Sequence, residues 1–209
     1  MVMSVPNIAH WTGSFMMETQ SRQKDGAVIH AFSSFPGKYQ WTDSKVSATI
    51  RSFAQAFCLE YPINQADNKA GLPGVLIGRY PGDSYAGGNP WQLLTAVLAE
   101  LFYQGASEFS SPNAVLSAEA RKEWATLFKI PETSTQKEFA TASLKAGDAV
   151  MYRLFQHVKN DGGHIAEQIS KTAGTQTSAK DLTWSYANLL STMHFRNTHL
   201  SPLAKEIEA

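Results

Sequence analysis

The sequence predicts an all-α fold, and three observations lead to this prediction. Apolar residues recur at helical spacing through most of the chain, strand-like patterns are rare, and long loops rich in Gly, Pro, Ser and Asn separate the helical stretches. The 209 residues, 43% of them hydrophobic, suffice for one domain with a buried core. Residues 27–32 and 75–77 are the two strand candidates. Alternating helices and long loops would suit a ring of helical hairpins.

The first clear helix is predicted over residues 43–60. Asp43 is a suitable N-cap, because its carboxylate can accept hydrogen bonds from the free N–H groups of the first turn. Pro62 ends the helix, since proline has no N–H to donate. The apolar face carries Val46, Ile50, Phe53 and Phe57.

A second helix is predicted from Asn89 onward. Asn89 can cap it, Pro90 suits the first helical position, and Gly105 stands where a C-terminal glycine is favoured. The apolar stripe is wide enough to predict a buried helix. It consists of Trp91, Leu94, Val97, Leu98, Leu101 and Phe102.

Two more helices are predicted over residues 117–129 and 136–159. Trp124, Leu127 and Phe128 give the first its apolar face. Thr135 and Glu138 have the spacing of a capping box at the start of the second, and Gly147 is a candidate interruption within it.

The last clear helix is predicted to begin near Asp181, with Trp184 on the side opposite to its apolar stripe. The stripe consists of Leu182, Tyr186, Leu189, Leu190 and Met193. Two loops, 62–89 and 160–180, lie between the predicted helices. Because long ordered loops are uncommon unless they carry function, both are candidate functional segments.

The composition excludes several classes of function. Eighteen basic and 18 acidic residues cancel, so the charge that nucleic-acid or anionic-membrane binding requires is missing, and a neutral partner is expected. Cys58 is a single cysteine, which excludes an internal disulfide, and the six histidines show no ligand spacing. No metal and no cofactor are therefore expected. The sequence has no apolar run long enough to span a membrane, and residues 1–10 do not resemble a secretory signal.

The segment 78–91, GRYPGDSYAGGNPW, combines a cation, a carboxylate and aromatic rings. Arg79 offers five donors that suit adjacent sugar hydroxyls. The sequence fits a surface or loop-anchoring arginine equally well. Asp83 could accept from hydroxyls or hold the turn through its own backbone, and the second role is slightly favoured.

Aromatic side chains in this segment and in a second one, residues 161–168 followed by 181–186, could stack on a sugar ring. Tyr80 and Tyr85 are candidates, together with Trp91, although a tryptophan within an apolar stripe is more often part of the core. Trp184 is the better candidate, because its helix is predicted to bury a different face.

Glu167 is the first candidate for a catalytic carboxylate. It follows Gly162 and Gly163 in a turn-rich stretch, where neither capping nor solubility requires it, although an isolated loop glutamate is usually an ordinary surface residue. Cleavage of a glycosidic bond normally needs two carboxyl groups. Nearby His164 could tune Glu167, but a structural role is more usual for such a histidine. Together, the two segments indicate a sugar site of the kind found in glycoside hydrolases.

The chain resembles the glucoamylase family, glycoside hydrolase family 15. The segments that carry the resemblance are GRYP at 78–81, GNPW at 88–91, AEQ at 166–168 and DLTWSYA at 181–187. WTGSF at 11–15 and the stretch 24–32 are also similar, so the resemblance covers about residues 8–197.

The resemblance implies an (α/α)6 barrel whose active-site pocket removes single glucose units from the non-reducing ends of starch-like or glycogen-like glucans, α-1,4-linked and α-1,6-linked, with inversion. It implies that Glu167 is the general base and that Arg79 and Trp184 line the subsite of the departing glucose. Tyr80, Asp83 and Trp91 then support or border the pocket. The family also implies a secreted or vacuolar enzyme, without a cofactor, that is a monomer at full length.

The resemblance extends only to the C-terminal half of that domain. About six helices can be counted where twelve are expected, and nothing matches the half that supplies the general acid. Residues 1–209 are therefore expected to form one partial catalytic domain, without a starch-binding domain, and to have little or no activity alone. The alternative is a non-catalytic glucan-binding or helper protein derived from a glucoamylase.

Overall fold

Eight α-helices make up most of the part of the chain that the structure describes. The structure is a computed structural model, and it describes residues 10–12, 14–17, 22–35 and 37–208. The helices are α1 (Gly26–Ser34), α2 (Ser44–Glu60), α3 (Pro62–Lys69), α4 (Gln92–Phe109), α5 (Ala118–Phe128), α6 (Gln136–Val158), α7 (Thr183–His199) and α8 (Ser201–Glu208). The all-α prediction is confirmed. Residues 1–9, most of the segment compared with a secretory signal, lie outside the described residues. So does Gly13 of the WTGSF motif.

Two short antiparallel ladders accompany the helices. Strand β1 (His10–Trp11) pairs with β2 (Met16–Met17), and β3 (Gln168–Ile169) pairs with β4 (Gln176–Thr177). Both strand predictions are wrong. Residues 27–32 lie within α1, because Asp25 caps a helix there and its Oδ1 accepts from the Ala27 N–H at 2.9 Å. Residues 75–77 form no strand, and the Leu76 N–H donates instead to the side chain of Asn64, at Oδ1 and 2.9 Å.

Helix α4 is the centre of the fold, with α6, α7 and α1 packed against it. It is buried along most of its length, as predicted. Its predicted ends are wrong. Asn89 does not cap it, because the chain is still extended at Trp91, whose N–H donates to the Ile77 carbonyl at 2.8 Å. At the other end, Gly105 lies inside the helix, where a Cβ would come within 2.8 Å of the Trp41 ring.

The other predicted helix starts are mostly correct. Asp43 caps α2 by accepting from the Lys45 N–H, and Thr135 and Glu138 form the capping box of α6. Gly147 does not interrupt α6. Its role is close packing, because a Cβ there would lie 2.4 Å from the ring of Tyr103 on α4.

Part of the predicted loop 62–89 is helical. Pro62 begins α3 at the first helical position, and it therefore ends one helix and starts the next. Helix α5 lies within its predicted range, and α8 was not predicted.

The apolar stripe of α7 is only partly buried. Leu190 and Met193 are exposed, and the face turned to the core carries Ser185 and Thr192. The buried carboxylate of Glu100 on α4 needs hydrogen-bond donors, and two residues of α7 supply them. The neighbouring Ser191 hydroxyl donates to it at 3.0 Å, and the Thr192 hydroxyl does so at 3.4 Å.

Among the described residues, no helix is long and apolar enough to cross a membrane. In the same part of the chain, no group of three or more His, Cys, Asp or Glu side chains is placed to hold a metal ion.

Candidate carbohydrate site

A cleft of about 700 Å³ opens where α1, the N-terminal ends of α4 and α7, and the 78–91 segment meet. Its walls include Asp25, His30, Arg79, Tyr85, Trp91 and Trp184. Three of the six predicted site residues, Arg79, Trp91 and Trp184, thus share one cavity. We call it the aromatic cleft.

Aromatic rings surround the guanidinium group of Arg79. Its central carbon lies 5.0 Å from the ring centre of Tyr85, 5.3 Å from that of Tyr80 and 5.8 Å from that of Trp91. These distances are within the range of cation–π attraction. Among the described residues, its charged partner is Asp83, at 3.6 Å from Nε. The rings therefore orient the guanidinium fork without using its in-plane N–H donors.

Asp83 holds the turn, which is the role that the sequence slightly favoured. Its Oδ1 accepts from the Tyr85 N–H at 3.0 Å, as in an Asx turn. The same turn requires Gly88, which has φ of 64° and whose Cβ would lie 1.8 Å from the Asp83 carbonyl oxygen. Asp83 Oδ2 is buried and has no hydrogen-bond partner among the described residues.

The two tryptophans of the aromatic cleft differ in exposure. Trp91 is 8% exposed and belongs to the core, but its Nε1 is buried without a partner among the described residues. Trp184 is 51% exposed, and its ring meets that of His30 edge to face at 6.0 Å. Trp184 therefore has a free apolar face for a ligand, whereas Trp91 contributes mainly an edge. Tyr80 lies beside the cleft, with the guanidinium groups of Arg22 and Arg79 near its ring.

Glu167 lies next to the aromatic cleft rather than in its wall. Its carbonyl oxygen accepts from the N–H of Gln92, the residue after Trp91, at 3.1 Å. Its carboxylate is held by two donors at the same oxygen. Ser178 Oγ and Gln168 Nε2, the latter at 3.1 Å, both donate to Oε2. Oε1 has no hydrogen-bond partner among the described residues, so it is the oxygen available to a ligand.

Gln176 ties the loop that carries Glu167 together. Its Nε2 donates to Asp161 Oδ2 at 2.7 Å and to the His164 carbonyl at 2.8 Å. Its Oε1 accepts from the Ala166 N–H and from Gln92 Nε2, both at 2.7 Å. This one amide thus fixes both sides of the loop and attaches it to the start of α4.

His164 contacts Asp181 rather than Glu167. Its Nδ1 lies 2.8 Å from Asp181 Oδ1, and the hydroxyl of Tyr186 donates to the same oxygen at 2.7 Å. The hydrogen bond from Tyr186, and then that from His164, lowers the pKa of Asp181. The hydrogen bond between Tyr186 and Asp181 raises the pKa of Tyr186. The geometry therefore supports a structural role for His164, which contacts Asp181 just before the start of α7.

Sequence reasoning missed two groups of residues at this site. His30 was hidden by the strand prediction, although Asp25 was available as the N-cap signal of α1. Ser178 and Gln176 lie in an irregular loop, where no periodic pattern shows which side chains meet. A polar residue within such a loop has no sequence signal for its partner.

An arginine and tryptophans around one cleft, with a loop carboxylate beside it, are typical of carbohydrate-active proteins. Comparison with known proteins makes the assignment specific. The model of the family described as "Glycosyl hydrolases family 15" matches residues 12–194. The chain belongs to this family.

The relatives that the chain resembles are glucoamylases. It is 32% identical over 183 residues to the glucoamylase of Blastobotrys adeninivorans, covering 78% of this chain and 29% of that protein. Identity to glucoamylase 1 of Rhizopus oryzae is 32% over 161 residues, covering 70% and 26% respectively. The chain thus spans less than a third of the length of either relative.

Solved structures agree with the fold. The Hormoconis resinae glucoamylase superposes with a TM-score of 0.77 at 25% identity, over 90% of this chain and 36% of that one. The Hypocrea jecorina enzyme, at 24% identity, gives 0.76 and supports the fold alone. Part of an (α/α)6 barrel, the fold implied by the resemblance, is thereby confirmed.

Proposed function

We propose that this chain contributes the general base and part of the sugar pocket to a glucoamylase-type hydrolysis of terminal α-1,4-linked and α-1,6-linked glucose. The observation that carries the proposal is the Glu167 carboxylate. Two donors hold Oε2, and Oε1 is left to accept a proton from water. A general base must be oriented in this way, because proton transfer needs a fixed distance to the attacking water.

In the proposed reaction, a water molecule donates its proton to Glu167 Oε1 while its oxygen attacks the anomeric carbon. Water and leaving group lie on opposite faces of the sugar, so the product is inverted. Arg79 and Trp184 line the subsite of the departing glucose, where Trp184 supplies a stacking face. Tyr80, Asp83 and Trp91 hold or border that subsite.

A second carboxyl group must protonate the leaving oxygen. Asp25 is the one carboxylate among the described residues that line the aromatic cleft, and it is committed to capping α1 and lies 3.5 Å from Arg22. The family resemblance places the general acid in the half of the domain that this chain does not match, and the cleft offers no substitute among the described residues; we therefore propose that the acid lies outside this chain and that the chain alone has little or no activity.

The remaining proposals follow from the family resemblance. Residues 1–209 form one partial catalytic domain without a starch-binding domain, act on a neutral glucan without a cofactor, and belong to a secreted or vacuolar enzyme that is monomeric at full length. The balanced charge of 18 basic and 18 acidic residues supports a neutral ligand.

The first experiment measures binding and turnover of the chain by itself. Isothermal titration with maltoheptaose should give saturable binding, and an enzymatic glucose assay should detect no release above that of Glu167→Gln. Absence of binding by a folded chain contradicts the proposed pocket. Glucose release that Glu167→Gln abolishes contradicts the proposed absence of the acid.

The second experiment tests the base in a hybrid enzyme. The part of this chain that aligns with the Blastobotrys adeninivorans glucoamylase replaces the corresponding segment of that enzyme, and turnover of the hybrid is compared with that of its variants. Glu167→Gln should lower turnover by at least about 10²-fold with little change in binding. Glu132→Gln, on an exposed glutamate, is the matched control. Proton NMR of the first product formed should show β-glucose.

A second candidate function is binding without hydrolysis. The specific observation in its favour is that Glu167 does not line the aromatic cleft, whereas Arg79, Trp91 and Trp184 do. Under this alternative, the hybrid would bind maltoheptaose normally, and Glu167→Gln would leave its residual turnover unchanged.

A further inference from the structure

A hairpin formed by β3, β4 and their flanking residues carries Glu167. The Glu167 N–H donates to the Ala179 carbonyl at 2.8 Å, which extends the ladder of the two strands by one pair. Glu167 thus lies at the open end, and residues 171–174 form the tip. Ser178, whose hydroxyl donates to Glu167 Oε2, directly follows β4. We call residues 167–179 the Glu167 hairpin.

The tip of the Glu167 hairpin packs on α3 and α6. The Lys171 carbonyl accepts from the N–H of Ile63 on α3 at 2.8 Å. The Gly174 carbonyl oxygen lies 2.8 Å from Nδ1 of His157 on α6. Gly174 has φ of 71°, and a Cβ there would lie 2.9 Å from the His157 ring and from the Ile63 side chain. The histidine ring therefore lies directly against the backbone of the tip.

His157 faces a hydrogen-bond acceptor at each of its two ring nitrogens. Nδ1 faces the Gly174 carbonyl, and Nε2 lies 2.8 Å from Asp67 Oδ2 on α3. A carbonyl oxygen and a carboxylate oxygen accept hydrogen bonds and donate none. A neutral imidazole has one N–H and makes only one of these two bonds. Both bonds are therefore present together only when the ring carries two protons, as an imidazolium.

The other charged groups around this histidine have partners of their own. Arg153 on α6 donates to oxygens of residues 64–73, and its Nε lies 3.8 Å from the Asp67 oxygen that contacts the ring. Asp161, after the end of α6, accepts from a glutamine side chain of the hairpin. Lys171 of the tip has its Nζ 3.6 Å from the position of a Cβ on Gly88. Among the described residues, Asp67 is thus the carboxylate in contact with the ring.

We propose that His157, as an imidazolium, fixes the tip of the Glu167 hairpin and frees it when a proton is lost to water. The remaining proton stays on Nε2, because a hydrogen bond to a carboxylate is about twice as strong as one to a neutral carbonyl. Nδ1 then presents a lone pair to the Gly174 oxygen, and the two repel each other. The tip is fixed at low pH and freed as the pH rises, whereas β3 stays bonded to Pro90, whose carbonyl accepts from the Ile169 N–H at 3.0 Å.

Amide hydrogen exchange of the whole chain, followed by NMR, measures the attachment of the tip. Rates are compared between about pH 5 and about pH 8, on either side of the pH near 6.5 at which an ordinary imidazole titrates, and each is divided by the intrinsic rate at its pH. Protection of the Ile63 and Gly174 amides should fall about 3- to 10-fold as the pH rises, the loss expected for one hydrogen bond. The midpoint should coincide with the loss of a proton in the ring ¹⁵N signals of His157. The Trp91 amide, bonded to Ile77 outside the hairpin, should keep its protection.

Variants separate the charge from the contact. Asp67→Asn supplies an amide N–H that donates to Nε2, so a neutral ring keeps its proton on Nδ1 and the tip should stay protected at both pH values. His157→Asn places an amide donor near the position of Nδ1 and should also keep the tip protected at both. His157→Gln places the donor near that of Nε2 and should leave the tip unprotected at both. His199→Asn is the matched control, because His199 is exposed and contacts the Phe195 carbonyl of its own helix, and it should keep the pH dependence of wild type.

Two results would overturn the proposal. The first is protection of the Ile63 and Gly174 amides that stays constant while His157 titrates in wild type, a measurement that needs no variant to fold. The second is a pH dependence in Asp67→Asn equal to that of wild type, with circular dichroism showing a folded protein. Maltoheptaose binding and glucose release do not enter these readouts, so this proposal and the proposed function can fail independently.

Discussion

Replacing Trp184 with alanine removes the exposed stacking face of the aromatic cleft. A tryptophan side chain buries about 150–250 Å² when it is fully covered, and Trp184 is 51% exposed, so a sugar ring could cover roughly 100 Å² of it. At about 25 cal/mol per Å², this area corresponds to at most about 2.5 kcal/mol. A hydrated sugar covers the ring incompletely, and we expect a loss of about 1–2 kcal/mol, or a Kd about 5- to 30-fold higher.

The assay is isothermal titration of the chain with maltoheptaose. Leu190→Ala is the matched control, because Leu190 lies on the same helix, is 64% exposed and is outside the aromatic cleft. Trp184→Phe should recover part of the affinity, since it keeps a smaller ring. Trp184→Ala with affinity within twofold of wild type, in a protein with unchanged circular dichroism, would refute the assignment of Trp184 as a sugar platform.

Three further predictions concern the framework that holds the site. Gly147→Ala should lower Tm by about 2–8 °C. The reason is that the overpacking against the Tyr103 ring costs about 2–3 kcal/mol, whereas the gain in helix propensity is only about 1 kcal/mol. A higher Tm in thermal denaturation would contradict this prediction. Arg153→Met should lower the free energy of unfolding by about 3 kcal/mol in urea denaturation, since this fully buried guanidinium binds side-chain and carbonyl oxygens in residues 64–73. An unchanged urea midpoint would show that these buried hydrogen bonds make no net contribution to the free energy of unfolding. Hydrogen bonds from a tyrosine hydroxyl and a histidine ring lower the pKa of Asp181 below its ordinary 3.8, so their stabilisation is present above pH 3.8 and is lost as the pH falls through the lower, folded value. The fall in Tm between pH 5 and pH 2 should therefore be smaller in Asp181→Asn than in wild type, and equal falls would rule out this linkage.

Helix positions followed from the sequence where the signal was local. The N-cap of α2 and the capping box of α6 depend on residues two or three positions apart, and both are as predicted. The predicted start of α4 was wrong because the N–H of Trp91 is taken by the distant carbonyl of Ile77. A cap can be read from neighbouring residues, but a competing partner 14 positions away cannot.

The site shows the same division. The sequence identified Arg79, Trp91 and Trp184 as candidates, and the structure brings them into one cleft. It also identified Glu167, but it could not show that two donors hold Oε2, since Ser178 is 11 residues away in an irregular loop. The roles of these residues in binding and catalysis remain predictions.

The sequence by itself determined the all-α class, most helix positions and the family, because these depend on apolar periodicity, caps and short motifs that adjacent residues define. Only the tertiary structure decided which face of α7 is buried and which cavities exist. Ser185 and Thr192 are buried on α7, and the Thr192 hydroxyl donates to the carboxylate of Glu100 on another helix. A groove between α6 and α7 exists because both pack on α4 and leave a space between them. Such features depend on contacts between residues far apart in the chain, and no local pattern records them.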